Sequence, residues 1–274
     1  MRDLAGKTAV VTGGGSGIGR GTVLALAEAG MHVVVADLDE GTAKAVADEA
    51  SALGPRAIAH RTDVTDKASV EALADAAYAG FGAVHVLHNN AGVAVFQSID
   101  KTTDAEWNWI LSVNLHGVIN GIQVFLPRMQ AQSDPAHIVN TASMAGHVAG
   151  PNLGAYNASK FAVVAISETL AAELAGTDIG VSVLCPGGVQ TNIFRHAVEQ
   201  RPAGGADMQS IRLSGGLENM MDPLEVGKIV RHAIESDELY IFTHPEFGVA
   251  VQMRYDRIMG AFARWAEHRA ATTT

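Results

Sequence analysis

Short apolar runs rich in β-branched residues alternate along this chain with longer stretches rich in Ala and Leu. The runs are apolar almost without interruption, which is typical of strands in a parallel sheet whose two faces are both buried. Strands that alternate with helices in this way form right-handed βαβ units. The alternation therefore predicts an α/β fold, a doubly wound parallel sheet of about seven strands with helices on both faces. The predicted strands are residues 7–12, 32–37, 56–63, 83–90, 136–143, 180–187 and 238–243, and the predicted helices are residues 17–29, 40–53, 66–80, 104–131, 154–175 and 223–236.

Length and charge narrow the classes of protein to consider. The chain has 274 residues, 48% of them apolar, and one α/β domain can reach this size. We expect a single domain over residues 1–274. The formal net charge is −10, and Lys and Arg are scattered rather than clustered, which argues against nucleic acid as a partner.

Cys185 is the only cysteine, so an internal disulfide framework is excluded. It lies in the strand-like run "VSVLCPGG", which predicts a thiol packed in the core or lining a site. The N-terminus lacks the apolar region of a signal peptide, and no segment offers about 18 uncharged apolar residues. We therefore expect a cytoplasmic protein without a membrane span.

The segment "TGGGSGIG" at residues 12–19 follows the first predicted strand and opens the first predicted helix. Gly13 permits a tight exit from the strand, and Gly17 and Gly19 let the backbone approach a pyrophosphate closely. Amides at the helix N-terminus would then face the anion. A glycine turn that binds nothing is the alternative interpretation. The loop residues predicted to contact a dinucleotide are Gly13, Gly15, Ser16, Gly17, Ile18 and Gly19.

Asp37 ends the second predicted strand, where an acid can accept hydrogen bonds from the hydroxyls of an adenosine ribose. A 2′-phosphate would be repelled there, and the next residues, Leu38, Asp39 and Glu40, supply no cation. These features favour NAD over NADP as the cofactor. Asp37 could instead cap the following helix, although Asp39 could also serve that purpose.

The third and fourth predicted strands also end in polar motifs. Asp63 and Val64 close the third strand, where they could hold the adenine edge, and Asn90, Ala91 and Gly92 close the fourth. Ligands of open α/β sheets bind at the carboxyl ends of strands. These five residues are therefore predicted to extend the dinucleotide site.

Tyr156 and Lys160 lie four residues apart in "GAYNASK", a spacing that places the phenol and the ammonium on one helix face. Alone, this pair is a common pattern. Here it follows Asn114 in "SVNLHG" and Ser143 in "NTASMAG", and "PGGVQT" follows at residues 186–191. Together with the glycine loop and "NNAG", this ordered set resembles the short-chain dehydrogenase/reductase family over about residues 7–191.

The resemblance implies a Rossmann-like fold and an oxidoreductase that interconverts a secondary alcohol and a ketone with NAD. It implies that Tyr156 is the general acid and base, and that Lys160 favours the phenolate and bonds the nicotinamide ribose. Ser143 would hold the substrate oxygen, and Asn114 would anchor a water for proton relay. The residues that would close over the nicotinamide are Pro186, Gly187, Val189 and Thr191.

Residues 188–222 form a long connection with paired glycines and three methionines, and we expect a mobile lid over the substrate. Substrate specificity is assigned to this connection and to the site-lining residues Ser143, His147, Asn152, Gly188 and Phe194. A small-molecule alcohol or ketone is the expected partner.

Beyond residue 244 the resemblance fades. An apolar stripe at 4-3-4-3 spacing predicts an amphipathic C-terminal helical extension over residues 245–268, which we assign to core or subunit packing. Relatives often pair subunits through the helix predicted at 104–131, so the family implies a homodimer or homotetramer. The eleven histidines form no tight ligand cluster, and no catalytic metal is expected. The stripe consists of Val251, Tyr255, Ile258, Phe262 and Trp265.

Three alternative functions remain open from the sequence. An NADP-dependent carbonyl or 3-oxoacyl reductase of the same family would conflict with Asp37. A dinucleotide-sensing protein without catalysis would not need the complete set of Asn114, Ser143, Tyr156 and Lys160. A nucleotide-sugar epimerase shares the Tyr-x-x-x-Lys pair but usually has a larger C-terminal substrate domain.

Overall fold

The computed structural model describes residues 1, 3–132, 134–191, 193, 199–202 and 220–272. The chain divides into two compact units, Met1–Thr243 and His244–Thr274. The sequence predicted one domain with a helical extension over 245–268, and the second unit corresponds to that extension. The predicted site residues all fall within the first unit.

Seven strands form one sheet in the first unit, in the order β3-β2-β1-β4-β5-β6-β7. Every pair of neighbouring strands is parallel. The order reverses between β1 and β4, as in a doubly wound sheet. The predicted fold class is therefore confirmed. The strands are β1 Thr8–Thr12, β2 His32–Asp37, β3 Ala57–Arg61, β4 Val86–Asn89, β5 Ala136–Thr141, β6 Ile179–Cys185 and β7 Tyr240–Phe242.

Helices connect the strands, and local capping explains where several of them begin. The Asp39 side chain accepts hydrogen bonds from the first-turn amides of α2, and Asp66 does the same for α3. Asp222 caps α7, where Pro223 occupies the first turn. The helices are α1 Gly17–Glu28, α2 Glu40–Ser51, α3 Lys67–Phe81, α4 Asp104–Leu111, α5 Gly117–Ala131, α6 Gly154–Glu173, α7 Pro223–Ser236 and, in the second unit, α8 Gly248–Thr272.

Two apolar clusters bury the two faces of the sheet. Leu26 of α1, Val46 of α2 and Val230 of α7 belong to one cluster. Leu73 of α3, Phe125 of α5 and Leu170 of α6 belong to the other. The central strands β1, β4 and β5 are consequently buried along their whole length, which explains their largely apolar sequences, whereas the edge strands β3 and β7 are partly exposed.

Two glycines let α1 and α7 approach each other closely. A Cβ on Gly21 would lie 1.9 Å from the carbonyl oxygen of Pro223, and a Cβ on Gly227 would lie 2.1 Å from that of Gly21. Neither distance is sterically possible. The helix that follows the glycine loop is thereby held against α7 and the sheet.

Among the residues that the structure describes, one helical run is long and apolar enough to cross a membrane. It covers Asp104–Ala131 with a mean hydropathy of 1.3. Within it, however, Val124, Phe125 and Met129 of α5 are buried in the core of the first unit. We therefore interpret this run as a core helix of the α/β unit.

The sheet also buries neutral histidines. Burial lowers the pKa of His88 on β4 to about 3, and burial lowers that of His137 on β5 to about 4. His88 Nε2 lies 2.8 Å from Thr141 Oγ1, and His137 Nε2 lies 2.7 Å from Ser182 Oγ. Both rings thus act as uncharged hydrogen-bonding groups between neighbouring strands.

Candidate active site

The predicted motifs meet at the carboxyl edge of the sheet. β1 leads into the glycine loop, β4 into Asn90, β5 into Ser143 and β6 into Pro186. Because these strands are parallel and adjacent, their carboxyl ends lie side by side. Residues distant in the sequence therefore share one site.

The glycine loop is shaped by close backbone contacts. Gly13 has a φ of 63°, in the left-handed region that favours glycine. A Cβ on Gly19 would lie 2.0 Å from the Gly13 carbonyl oxygen. The Asn90 side chain donates to the carbonyl oxygens of Thr12 and Gly13, at 3.0 and 3.3 Å. The predicted loop and the "NNAG" motif are thus in direct contact.

The far side of the loop faces the segment that follows β6. Gly17 has a φ of 49°, and a Cβ there would lie 3.0 Å from Thr191 Cγ2. Ser16 precedes α1, and within the described residues it makes no side-chain hydrogen bond that caps the helix. The first amides of α1 are therefore available to an anion, and this cradle fits a dinucleotide pyrophosphate.

Asp37 belongs to the loop rather than to the next helix. Its Oδ2 accepts a hydrogen bond from the Gly15 amide at 2.9 Å. The cap of α2 is instead Asp39, whose side chain accepts from the amides of Gly41 and Thr42. The alternative interpretation of Asp37 as a helix cap is therefore wrong, and its carboxylate lies beside the cradle where a ribose would bind.

The third-strand motif is built into a turn. Asp63 Oδ1 accepts hydrogen bonds from the amide and the hydroxyl of Thr65, at 2.9 and 2.7 Å. The Val64 carbonyl accepts from the Asn120 side chain at 2.9 Å. These bonds fix the turn next to α5, and the predicted adenine contact stays a prediction.

Tyr156, Ser143 and Lys160 come together at the start of α6. The Ser143 side chain lies close enough to Tyr156 to lower the pKa of its phenol. The Lys160 ammonium lies 5.6 Å from the centroid of the Tyr156 ring and donates to the Thr141 carbonyl at 2.9 Å. The three side chains that the sequence assigned to proton transfer and substrate holding therefore form one cluster. The Thr141 carbonyl, which holds Lys160, was missed because a backbone acceptor has no sequence signature.

Asn114 lies in a π-helical turn, Ser112–His116, between α4 and α5. The sequence predicted one continuous helix over 104–131, and this turn is a correction to it. Asn114 Oδ1 accepts from the Val93 amide at 2.8 Å, and Nδ2 donates to the Val93 carbonyl at 2.9 Å and to Ser159 Oγ at 3.1 Å. The extra residue of a π turn is a frequent device at functional sites. Here it directs a buried amide to the "NNAG" segment.

Gly92 separates Asn114 from Lys160. A Cβ on Gly92 would lie 3.4 Å from Asn114 Oδ1 and 3.6 Å from Lys160 Nζ. The amide and the ammonium therefore face the same small region, as their predicted shared role in proton relay requires. The water in that role stays a prediction.

The electrostatics of the cluster differ from the sequence expectation. Burial raises the pKa of the Tyr156 phenol, and the hydrogen bond with Ser143 offsets only part of this effect. Burial also lowers the pKa of Lys160 to about 8. The expected net lowering of the phenol pKa is therefore not found: the pKa is raised, because the charged form of the phenol loses water on burial.

Cys185 and His147 form a packed pair behind the cluster. His147 Nε2 lies 3.3 Å from Cys185 Sγ, and the His147 ring centroid lies 5.3 Å from that of Phe242. Burial raises the pKa of the Cys185 thiol to about 12 although Lys160 lowers it, so the thiol is protonated at neutral pH. This confirms Cys185 as a packed thiol. The contact with Phe242 was not predicted, although alternation along β7 could have indicated it.

The other predicted substrate residues fall in three places. Asn152 has a φ of 60° and its carbonyl accepts from the Gln97 amide at 2.7 Å. The Gly188 carbonyl accepts from the Met221 amide at 3.0 Å. Phe194, and most of the predicted lid over 188–222, lie outside the described residues. Among the residues that are described, no three His, Cys, Asp or Glu side chains group as metal ligands would.

Burial of the Lys160 ammonium lowers the stability of the folded chain, and this effect can be tested. Between the pKa of about 8 in the folded chain and the ordinary lysine pKa of 10.5 in the unfolded chain, Lys160 binds fewer protons in the folded state. Wild-type stability should therefore rise with pH across this window. We expect Lys160→Met to be more stable than wild type at pH 7, by roughly 1–2 kcal/mol after loss of the Thr141 hydrogen bond. Urea unfolding at pH 7 and pH 9.5 should show the difference narrowing, whereas the exposed control Lys44→Met should differ little from wild type at either pH. A difference that is constant with pH would contradict the buried charge.

Comparison with known proteins gives the same assignment as the site. The family model for short chain dehydrogenase matches residues 7–202. The chain is 35% identical over 277 residues to a C alpha-dehydrogenase of Sphingobium sp., covering 96% of this chain and 88% of that protein. It is 34% identical over 254 residues to a 1-deoxy-11-beta-hydroxypentalenate dehydrogenase of Streptomyces exfoliatus, covering 92% and 88%.

A solved structure is also similar. A short-chain dehydrogenase/reductase from Burkholderia phymatum in complex with NAD superposes with a TM-score of 0.87 at 40% identity, covering 94% of this chain and 96% of that one. The matches extend over the strands, the glycine cradle and the cluster of Ser143, Tyr156 and Lys160. The chain belongs to the short-chain dehydrogenase/reductase family of oxidoreductases.

Proposed function

We propose that this oxidoreductase interconverts a secondary alcohol and a ketone with NAD as its cofactor. The observation that carries the proposal is the placement of the Lys160 ammonium, held by the Thr141 carbonyl, beside the Tyr156 ring, with Ser143 close to the phenol. Two of the similar proteins are named as dehydrogenases, which supports the reaction class. A small-molecule substrate fits a site built from strand ends and short loops.

The proposed mechanism divides the work between the chain and its cofactor. The dinucleotide, when bound in the glycine cradle, accepts or supplies the hydride. Ser143 holds the substrate oxygen through its hydroxyl, which stabilises developing negative charge. Tyr156 takes the hydroxyl proton in oxidation and returns it in reduction. Lys160 provides positive charge next to the phenol, and its own position is fixed by Thr141.

The proton-transfer role of Tyr156 gives the first test of this proposal. Tyr156→Phe removes the phenolic hydroxyl and keeps the ring, so we expect kcat/KM to fall by about 10³-fold or more. NAD affinity, measured by fluorescence titration, should stay within a few-fold. The matched control is Tyr78→Phe, whose hydroxyl bonds Gln132 away from the site. Near-normal turnover in Tyr156→Phe would contradict the mechanism.

The substrate for these assays comes from a screen of secondary alcohols with NAD, including sterol, aryl-alkyl and sugar types. A wild-type chain that binds NAD but oxidises none of them, and reduces none of the matching ketones, would favour the dinucleotide-sensing alternative. An epimerase would convert a nucleotide sugar without net change in NAD.

We propose NAD rather than NADP because Asp37 Oδ2 lies at the edge of the cradle, bonded to the Gly15 amide. A 2′-phosphate there would meet a like charge. The NADP-dependent carbonyl or 3-oxoacyl reductase is therefore the less favoured candidate.

Asp37→Ala should weaken NAD and relieve repulsion of the 2′-phosphate. We expect the ratio of kcat/KM for NADP over NAD to rise about ten-fold or more, from the loss of one charged contact. Asp39→Ala is the control, because Asp39 caps α2 and should affect both cofactors equally. A wild type that already prefers NADP would refute the assignment.

We also propose that the protein is cytoplasmic, because its single cysteine is a buried free thiol, which suits a reducing compartment.

We propose in addition that the protein is a homo-oligomer that associates through α8. Across the described residues Gly248–Thr272, no side chain of α8 is buried. Phe262 and Trp265 of its apolar stripe are 68% and 66% exposed. Aromatic side chains of this kind bury on the order of 150–250 Å² each. Two stripes together would supply on the order of 1,000 Å², the lower range of a specific interface.

Charge favours a second copy of this chain as the partner of α8. The helix carries four arginines and two carboxylates, whereas the whole chain has a net charge of −10. The basic helix is therefore complementary to the acidic remainder of another copy.

Substitution on the stripe tests the proposed self-association. We expect Phe262→Glu to lower the molar mass measured by light scattering to that of a smaller species, because a charge in a buried contact is costly. Ala263→Glu, a neighbouring position off the stripe, should keep the wild-type mass. A monomeric wild type would refute self-association. An unchanged mass in Phe262→Glu would exclude this face, and vesicle binding lost in that variant would point to a membrane instead.

A further inference from the structure

A fully buried carboxylate begins α4, and helix capping uses only part of it. Glu106 Oε2 accepts hydrogen bonds from the Thr103 amide and hydroxyl, at 2.8 and 3.0 Å, in a capping box. Its Oε1 contacts the Arg201 guanidinium. The side chains of Glu106 and Arg201 are 0% and 7% exposed. A capping box needs no such burial, so the pair with Arg201 requires its own explanation.

Arg201 joins two segments that are distant in the sequence. It follows the "PGGVQT" motif, while Glu106 lies in α4 and Gln97 in the connection between β4 and α4. Arg201 Nη2 donates to Gln97 Oε1 at 2.6 Å. One planar guanidinium thus satisfies a carboxylate and an amide at once, which Lys could not do in the same geometry.

Gln97 continues the network to the start of the catalytic helix. The backbone N–H of Gln97 donates to the Asn152 carbonyl at 2.7 Å, and Gln97 forms a parallel bridge with Leu153. A Cβ on Gly154, the first residue of α6, would lie 2.4 Å from Ile99 Cγ1. The connection that holds Gln97 is therefore pressed against the turn that carries Tyr156.

The Glu106 carboxylate and the Arg201 guanidinium compensate each other's charge only when the segments that carry them are in contact. Burial by itself raises the pKa of Glu106, but hydrogen bonds from Thr103 and Arg201 lower it, and the net pKa lies below its ordinary value. A buried ion pair adds little stability over an apolar pair, whereas breaking it leaves a charge without compensation. Such a pair selects a particular arrangement of the segments that it joins.

We propose that Arg201 is a positioning residue for the substrate, resting on the proposed dehydrogenase function. Its pair with Glu106 and its bond to Gln97 hold residues 199–202 against the β4–α4 connection. Through Gln97 this fixes the Asn152–Gly154 approach to Tyr156. The dinucleotide cradle is contacted by different residues, Asn90, Ala91 and Thr191. Loss of the pair should therefore weaken binding of the alcohol and leave binding of NAD unchanged.

Arg201→Met tests this proposal because it removes the guanidinium and keeps an unbranched side chain. With an alcohol from the screen, its KM should rise about ten-fold or more, while kcat and the Kd for NAD stay within about three-fold of wild type. Arg201→Lys retains the charge but not the fork, and its KM should fall between the two. The control is Arg128→Met, which breaks the Arg128–Asp75 ion pair on the helices behind the sheet and should leave KM unchanged. An unchanged KM in Arg201→Met, or equal losses for alcohol and NAD, would overturn the proposal.

Two further measurements distinguish a positioning role of Arg201 from a loss of stability and from failure of the proposed dehydrogenase function. Glu106→Gln combined with Arg201→Met removes both charges; it should fold and keep the raised KM, and a wild-type KM in it would refute positioning. Hydrogen exchange of the NAD complex needs no turnover. Arg201→Met should exchange faster than wild type in residues 97–106 and 152–157 but equally in residues 13–19. No difference in the first two segments would overturn the proposal even if the enzyme is active, whereas a wild type without turnover would refute only the dehydrogenase function.

Discussion

A parallel sheet buried on both faces forces the chemistry of this protein to one edge. Helices cover both sides of the central strands, so these strands have no solvated face on which polar groups could gather. The carboxyl ends of the strands are the remaining place, and the parallel register puts β1, β4, β5 and β6 side by side there. The glycine loop, the "NNAG" segment, Ser143 and Pro186 each lie at the end of one of these strands or within two residues after it.

Close backbone contacts give this edge its shape. Gly13 and Gly19 approach each other more closely than any side chain allows, and Asn90 donates hydrogen bonds to the carbonyls of the loop. On the other side of α1, Gly21 and Gly227 bring α7 equally close. The cradle and the packing of the helix behind it therefore depend on the same absence of Cβ atoms. Asp37 accepts a hydrogen bond from the Gly15 amide of this cradle, so the proposed preference for NAD depends on the same backbone.

The polar side chains of the active cluster lose much of their contact with water when the chain folds. Burial raises the pKa of Tyr156 and lowers that of Lys160, so each group resists the charge that catalysis requires of it. The π turn that carries Asn114 and the buried pair of Glu106 and Arg201 are further departures from regular, apolar packing. Asn114 bonds Val93 and Ser159, and the pair of Glu106 and Arg201 bonds Thr103 and Gln97, so each joins segments that are distant in the sequence. The apolar clusters on the rest of the sheet stabilise the fold and offset the unfavourable burial of these polar groups.

The sequence by itself determined the order of strands and helices, the cradle glycines and the set of Asn114, Ser143, Tyr156 and Lys160. It could do so because hydrophobic periodicity, turn residues and motif spacing are local properties of the chain. The tertiary structure alone decided that Asp39 rather than Asp37 caps α2, that the helix at 104–131 contains a π turn, and that burial raises the pKa of the Tyr156 phenol. It alone also paired Glu106 with Arg201. Hydrogen-bond partners, desolvation and ion pairing depend on which residues come into contact in the fold. Contacts between residues far apart in the chain produce no local sequence pattern from which they could be predicted.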